Sequence, residues 1–593
     1  MMNSNELIEE IFKLALKNAV THNGKAAIGP VMSKVMGQHP ELRSRAREVL
    51  KLVKEVVDKV NSMSLEEQIN LVNSKYPELL KEREVREEEK ALPPLPNADK
   101  YRLIVTRFAP NPDFLIHLGN ARPAILSYEY ARMYKGKMIL RFEDTDPKTK
   151  TPMPEAYKLI KEDLRWLGVK WDEEYIQSLR MPIYYSIVRE LIKAGGAYVD
   201  LCSQKEFRKF KLSRKACPHR SQSIEKNLEL LDKILEGYFS EGEAVIRVKT
   251  DINYPDPSVI DWVAFRIINT DKYPHPIVGS KYILWPTYNF AAAVDDHLMG
   301  VTHILRGKEH AVNTVKQKFL YTHLGWEYPE VINLGRLKLE GFILSKSKIK
   351  ELLKRYPNKF LGPNDPRFGT VASMRYRGIE SEAIRKVILE VGVKGTDASI
   401  SWDNLASINR KIIDGNTRRV MAVFNPLLKV KIINYRGGDI VRIPYHPSNK
   451  ELGERSIKLE VSEDRVISLY IEHRDLDVIR KVGGVRFMGL CNARYLRYSD
   501  DTVVLEYIDG GVSKAKELGY GIVQWVPTKG NVMVKLLKPE GLRMKVINGL
   551  GEESLARIKE GERVQLIRNG FAVIKNRRSR AGVTKVGLLY IHD

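Results

Sequence analysis

The stretch Arg107–Arg122, RFAPNPDFLIHLGNAR, is the first grouping able to do chemistry. An apolar run, Leu103–Val105, precedes it and an apolar segment, Ala124–Tyr134, follows, so it reads as the turn between a buried strand and a helix. Such a turn makes a nucleotide site, because free N–H groups at a helix N-terminus face phosphate. Pro110 and Pro112 shape the turn, His117 and Asn120 are side-chain donors to phosphate, and Gly119 lets the backbone approach a nucleotide. Far downstream, Ser345, Lys346 and Ser347 stand in GFILSKSKIKELL, a loop entering a helix. A lysine there can swing onto a triphosphate and neutralise developing charge. Singly, H-x-G also reads as a turn with a core histidine, and S-K-S as an exposed basic loop; their combination carries the reading.

Arg107, Glu143 and Asp146 fall at the carboxyl ends of expected strands, where α/β sheets gather ligands; taken one at a time, each also reads as surface charge. VTHILRG reads as a strand from Val301 to Arg306, ended by Gly307. A guanidinium at that end can meet a carboxylate with two parallel hydrogen bonds, whereas a neutral amide accepts at one oxygen only. The alternative is a surface arginine paired with Glu309. Asp200, Cys202, Cys217 and His219 form D-x-C and C-x-H pairs around a short basic helix, and zinc accepts all three donor types. Asp200 at a position where thiolate is the stronger donor weighs towards the other reading, a metal-free turn with two semi-buried thiols.

The elements that must position these residues follow the chain. Residues 5–90 read as helices, with Leu7, Ile8, Ile11, Leu14 and Ala15 at helical spacing and a charge run from Glu82 to Lys90; ALPPLPNAD, 91–99, reads as a linker. From 101 the pattern alternates: MILRFEDTDP (138–147) is a strand ending in acidic residues, and Glu155–Leu167 a helix. This predicts a doubly wound α/β fold. Residues 198–284 break the rhythm and read as an insertion, and LWPTYNFAAAVDDHLMGVTHILRGKEH (284–310) as the return to the nucleotide fold. Residues 365–420 read as basic helices. From Leu427 the period falls to two, with turns every few residues, which suits two small β-barrels whose basic strands could hold single-stranded RNA.

At 593 residues the chain needs several domains, and 43% hydrophobic residues suffice for their cores. A net charge of +24 favours a polyanionic partner, nucleic acid first; the excess lies beyond residue 99, and the alternative is a solvated Lys- and Glu-rich surface. Three cysteines argue against a disulfide framework. The polar N-terminus has no signal-peptide core and no run of 18 apolar residues occurs, so a cytoplasmic protein without a membrane partner is expected. The common phosphate loops, G-x-x-x-x-G-K-[ST] and G-x-G-x-x-G, are absent.

Together these blocks resemble the class I aminoacyl-tRNA synthetases, and within them the glutamyl type of archaea and eukaryotes. HLGN is similar to the HIGH signature and ILSKS to KMSKS; RFAPNPD, RFEDTDP, YNFAAAVDDHLMG, THILRGKEH, SINRKIID and IVQWV resemble the glutamyl and glutaminyl subclass. The likeness covers about residues 100–593. It departs at Asn120, where HIGH has His, and at Ile343 and Leu344, where KMSKS has Lys and Met. An amide still donates to phosphate. The resemblance implies a multidomain α/β protein: an appended helical domain (1–95), a Rossmann-type catalytic fold in two halves (99–197 and 285–350), an acceptor-stem-binding insertion (198–284), a helical connecting domain (351–426) and two anticodon-binding β-barrels (427–593).

The same resemblance implies that glutamate attacks the α-phosphate of Mg²⁺-ATP and that the terminal adenosine of tRNA(Glu) then takes the acyl group, with bound tRNA needed for the first step. His117, Asn120, Ser345, Lys346 and Ser347 would serve catalysis. Pro110, Pro112, His117, Gly119, Asn120 and Lys346 would hold ATP, and Arg107, Glu143, Tyr288 and Arg306 would hold L-glutamate, Glu143 at its α-amino group. Related synthetases can carry C-x-C at the first pair of the proposed zinc ligands. A glutaminyl enzyme, an inactive tRNA-binding paralogue and a shorter tRNA-modifying relative are the rivals. Arg306 speaks against the first, the retained HLGN and SKS elements against the second, and the long β segment against the third. Charging of tRNA(Gln) as well, the partners of the N-terminal helices and the oligomeric state are left open.

Overall fold

The computed structural model describes residues 4–21, 24–39, 42, 45–76, 92–580 and 582–593. The charge run 82–90 and Ala91 lie outside them. The chain divides into two compact units, Met1–Ala91 and Leu92–Asp593.

The first unit contains helices α1 (Ser4–Thr21), α2 (Ile28–Gln38), α3 (Ala46–Asn61) and α4 (Leu65–Lys75). Leu7, Ile11 and Ala15 of α1 pack with Val49, Val53, Val57 and Val60 of α3, one apolar stripe on each helix. Ile8, on the expected α1 stripe, is exposed instead. A capping box between Ser64 and Glu67 starts α4.

In the second unit β1 (Val105–Phe108), α5 (Leu118–Met133), β2 (Lys137–Phe142), α6 (Pro154–Trp166), β3 (Glu173–Ile176) and α7 (Met181–Lys193) alternate as expected. The first strand lies later than the apolar run suggested: Leu103 is exposed, and Arg107 is itself a buried strand residue. The helix starts earlier, at Leu118, and takes in Pro123, whose ring leaves the Gly119 carbonyl without its helical donor.

The insertion is a four-stranded antiparallel sheet, β4 (Ala197–Asp200), β5 (Val245–Val248), β6 (Val263–Ile267) and β7 (Leu284–Pro286), with α8 (Gln204–Leu212) and α9 (Ile224–Leu235) between its first two strands. The strand at Leu284 therefore closes the insertion, pairing with β6, and the nucleotide fold resumes only with α10 (Tyr288–Leu298). Then follow β8 (His303–Gly307), α11 (Ala311–Leu324), β9 (Glu330–Leu334) and α12 (Lys346–Arg355). The main sheet runs β3-β2-β1-β8-β9, all parallel. Successive strands step outward in one direction from β1 and in the other from β8. The crevice of a doubly wound fold opens at that reversal, beyond the strands' carboxyl ends.

Helices α13 (Val371–Arg377), α14 (Ser381–Val391) and α15 (Trp402–Ile413) come next; 365–370, expected as helix, is loop. Two seven-stranded sheets complete the chain. The edge strands of one, Ile522–Val523 and Val526–Pro527, are separated only by Gln524 and Trp525; those of the other, Arg418–Val420 and Ala422–Phe424, only by Met421. Each sheet must curl until its edges meet, which makes a barrel and leaves few strand edges unpaired. The second barrel thus borrows its edges from before Leu427, inside the stretch read as connector.

Candidate active site

Arg107, Pro110, His117, Gly119, Asn120, Glu143, Asp146, Tyr288, Arg306, Ser345, Lys346 and Ser347 all line one cleft of about 1040 Å³ at the strand-order reversal. Pro112 does not: it is buried, and its carbonyl accepts from the Met153 N–H at 2.9 Å. Arg122, which closes the opening stretch, is a buried tie whose guanidinium donates to the carbonyls of Gly335, Gly392 and Lys394.

On one wall His117 caps α5, its N–H 3.4 Å from Asn120 Oδ1. A Cβ on Gly119 would fall 2.8 Å from the His117 ring, so glycine there seats the imidazole. Burial, with the Lys346 ammonium nearby, lowers the His117 pKa to about 3. The ring is therefore neutral, and among the described residues its buried Nδ1 has no hydrogen-bond partner. Ser345 is the N-cap of α12, accepting from the Lys348 N–H at 3.4 Å, and its hydroxyl lies 3.1 Å from that of Ser347. Gly369 joins the two motifs: its N–H donates to the Ile343 carbonyl at 3.0 Å and its carbonyl accepts from the Leu118 N–H at 3.1 Å. Any side chain there would strike Leu344. Lys346 crosses the cleft to the Asn111 carbonyl at 3.2 Å and Asp113 at 3.3 Å.

The other wall is a buried charge network. Asp296, from α10, accepts from Arg107 at 3.2 Å and Arg141 at 2.8 Å, and Arg141 also donates to Glu143 at 3.0 Å. Burial works against every one of these charges, yet the two arginines hold Asp296 below the usual carboxylate range. For Glu143 burial prevails and pushes its carboxyl up, against the pull of Arg141 and Arg107. Its second oxygen and both Nη groups of Arg107 meet no protein partner among the described residues.

Arg306, next to last in β8, is 5% exposed. Its guanidinium reaches Thr314 (2.6 Å), Gln317 (3.1 Å), Tyr328 (3.1 Å) and Tyr288 (3.4 Å), all neutral, while its buried Nε has no partner among the described residues. Among the described residues no carboxylate pairs with it, Glu309 included; the Glu309 carboxylate folds against the open side of Gly307 instead. Arg306 is thus a buried cation with no directly paired carboxylate among the described residues, Asp296 acting on it only at a distance, and a bound carboxylate would supply the pair.

Asp113, Arg141, Asp296, His310 and Gly369 are the site residues that the spacing of motifs did not single out. All but Gly369 stand inside RFAPNPD, RFEDTDP, YNFAAAVDDHLMG or THILRGKEH, so proximity to a motif was the available signal; Gly369 had none. His310 packs 5.3 Å from the Tyr288 ring and accepts from Asn313; burial, with Arg306 nearby, lowers its pKa to about 4.

Outside the cleft, Asp200, Cys202, Cys217 and His219 bring four ligand atoms within 4.8 Å of one another. His219 Nδ1 lies 3.1 Å from Asp200 and 3.4 Å from Cys202 Sγ, while Arg247 holds the other Asp200 oxygen at 2.6 Å. Burial, with Asp200 beside it, pushes the Cys202 thiol up to about 12, a state that a divalent cation would reverse by binding thiolate.

The family model for the catalytic domain of class I tRNA synthetases (E and Q) matches residues 103–415, and two models for the anti-codon binding domain of the same group match 417–509 and 522–575. The chain is 55% identical over 584 residues to a glutamate–tRNA ligase of Hyperthermus butylicus, covering 97% of this chain and all of that protein. It is 52% identical to the corresponding ligase of Staphylothermus marinus, over 94% of this chain and 98% of that one. The ligase of Ignicoccus hospitalis is 50% identical, over 99% of both.

Proposed function

The chain belongs to the class I tRNA synthetases of the E and Q group, and from that premise we propose that it is a glutamate–tRNA ligase. It joins L-glutamate to the 3′-terminal adenosine of tRNA(Glu) through glutamyl-adenylate, releasing diphosphate and AMP. The observation that carries glutamate rather than glutamine is Arg306, buried among neutral partners. A γ-carboxylate supplies the missing charge and two acceptors; the amide of glutamine would turn N–H groups towards N–H donors. Glu143 takes the α-amino group, whose positive charge favours the ionised carboxylate that burial disfavours. Arg107, whose Nη groups have no partner among the described residues, and Tyr288, which bonds Arg306, complete the pocket.

No protein nucleophile is required. The α-carboxylate attacks the α-phosphate directly, so the protein's part is positioning and charge stabilisation. Pro110, Gly119 and the α5 N-terminus seat ATP, which brings Mg²⁺ with it as substrate. His117, neutral, and Asn120 donate hydrogen bonds to phosphate. Lys346, with Ser345 and Ser347 at the head of α12, stabilises the charge that develops on the leaving diphosphate. The insertion, within 198–284, holds the acceptor stem, and the barrels the anticodon. The four donors Asp200, Cys202, Cys217 and His219 hold a zinc ion that braces the insertion; they are gathered already and of types zinc accepts. Metal analysis of the purified protein without stoichiometric zinc would remove that part.

The deciding experiment compares diphosphate release with glutamate plus tRNA and with glutamine plus tRNA. Release only with glutamate is expected; preference for glutamine would overturn the assignment. Among the described residues no helix is long and apolar enough to cross a membrane.

A further inference from the structure

Lys346 does not wait in the cleft as a free cation. It stands at the first position of α12, and its ammonium lies 3.3 Å from Asp113 Oδ1 and 3.2 Å from the Asn111 carbonyl. One turn further on, Lys350 takes the other oxygen, Oδ2, at 3.0 Å. Asp113 is itself fixed, because its N–H donates to Asn111 Oδ1 at 3.0 Å in a local turn. Beneath the pair, Phe114 and Leu115 share an apolar cluster with Ile349 of α12 and Phe368, so the loop and the helix are joined by packing as well as charge. One carboxylate thus ties the loop after β1 to the head of α12, with Lys346 inside the tie and Lys350 at its more exposed rim.

We infer that Asp113 is a positioning residue for Lys346: it holds that lysine charged and aimed before ATP binds, and surrenders it to the triphosphate of ATP while Lys350 retains the carboxylate. The inference rests on the ligase reading only for the identity of the reaction; the chemistry needs no more than a triphosphate. Lys346 is poorly hydrated where it sits, and burial lowers its pKa, with Asp113 the group that opposes the fall. The other charges facing it are Lys350 on its own helix and Lys150 from the loop after β2, both cations, and the neutral ring of His117 at the start of α5. Among the described residues Asp113 is the anion in contact with Lys346, and it keeps this corner able to meet phosphate with positive charge. Handing over only one of two lysines leaves Asp113 neutralised, so it does not repel the incoming phosphates.

The test is the pH dependence of ATP use by the full-length protein. For diphosphate release with glutamate and tRNA, kcat/KM for ATP reports ionisations of the free enzyme. Removing an anion disfavours the neighbouring ammonium, so in Asp113→Asn the alkaline limb should move to lower pH, by about one unit. The neutral-pH value should fall by about 10-fold as the lysine loses its aim. Asp113→Glu keeps the charge and should leave the limb where it was. In a Lys346→Ala background, Asp113→Asn should add no further loss, because the two act through one contact. Equilibrium binding of Mg²⁺-ATP over the same pH range asks the question without glutamate or tRNA. It stands even if the unaltered chain releases no diphosphate with glutamate, a result that would sink the ligase reading alone. Coincident wild-type and Asp113→Asn profiles, an equal shift in Asp113→Glu, or additive losses with Lys346→Ala would each overturn the inference.

Discussion

The two walls of the cleft are built on opposite principles. The glutamate side is buried and fixed by its own contacts: Arg107, Arg141, Asp296 and Glu143 form one ion network, and Arg306 is held by four neutral groups. The phosphate side is assembled from loop ends, with exposed serines and a lysine held by a single carboxylate that a ligand can replace. Specificity needs fixed geometry before the substrate arrives, because unpaired buried groups reject the wrong one only if they cannot move. Charge stabilisation in the transition state needs a group that can follow the phosphates. The fold supplies the first from strand ends and the second from the start of α12.

If that contrast is right, the largest effect belongs to Arg306. In Arg306→Cys the preference for glutamate over glutamine, on the order of 10⁴-fold for a mismatched buried polar site, should shrink towards parity, and KM for glutamate should rise sharply. Unchanged glutamate kinetics would reopen the glutaminyl reading. Next comes stability: Asp296→Ala leaves Arg107 and Arg141 buried without their shared anion. The free energy of unfolding should drop by about 3–5 kcal/mol, measured by denaturant titration. An unaffected stability would mean that the network does not fix this wall as described. On the phosphate wall, Lys346→Ala should lower kcat for adenylate formation by about 10²-fold while tRNA affinity and stability hardly change. A loss of fold in that variant would erase the difference between the walls.

The sequence disclosed these walls unequally. Lys346, Ser345 and His117 were legible because phosphate chemistry demands particular side chains at a turn before a helix, and such turns leave local marks. Arg306 was legible as a strand end, but its solitude was not: four neutral partners come from α10, α11 and the loop before β9, none of them local. Gly369 could not be found at all, since its worth lies in two backbone bonds to segments 26 and 251 residues away, Ile343 and Leu118. The fold shows the same division. Strand and helix alternation gave the parallel sheet, whereas the insertion's last strand, Leu284–Pro286, and the barrel edges at Arg418–Phe424 depend on which distant strand each short run pairs with.

The smallest effect is also the most discriminating. Lys350 shares Asp113 with Lys346 but is more exposed, so its pair is weakened by solvent. Were the phosphate wall as rigid as the glutamate wall, removing Lys350 would leave a charged carboxylate poorly compensated and cost stability. Were it a tie that opens, Lys350 matters only once Lys346 has left, when it alone neutralises Asp113. Lys350→Ala should then change stability by less than about 1 kcal/mol. ATP affinity should nonetheless weaken by about fivefold, the order expected for one solvated phosphate-side charge. Added to Asp113→Asn, Lys350→Ala should cause no further weakening, because no bare carboxylate remains to repel the triphosphate. A stability loss as large as that of Asp296→Ala, or an ATP defect in the double variant deeper than that of Asp113→Asn alone, would place both walls under the same rule.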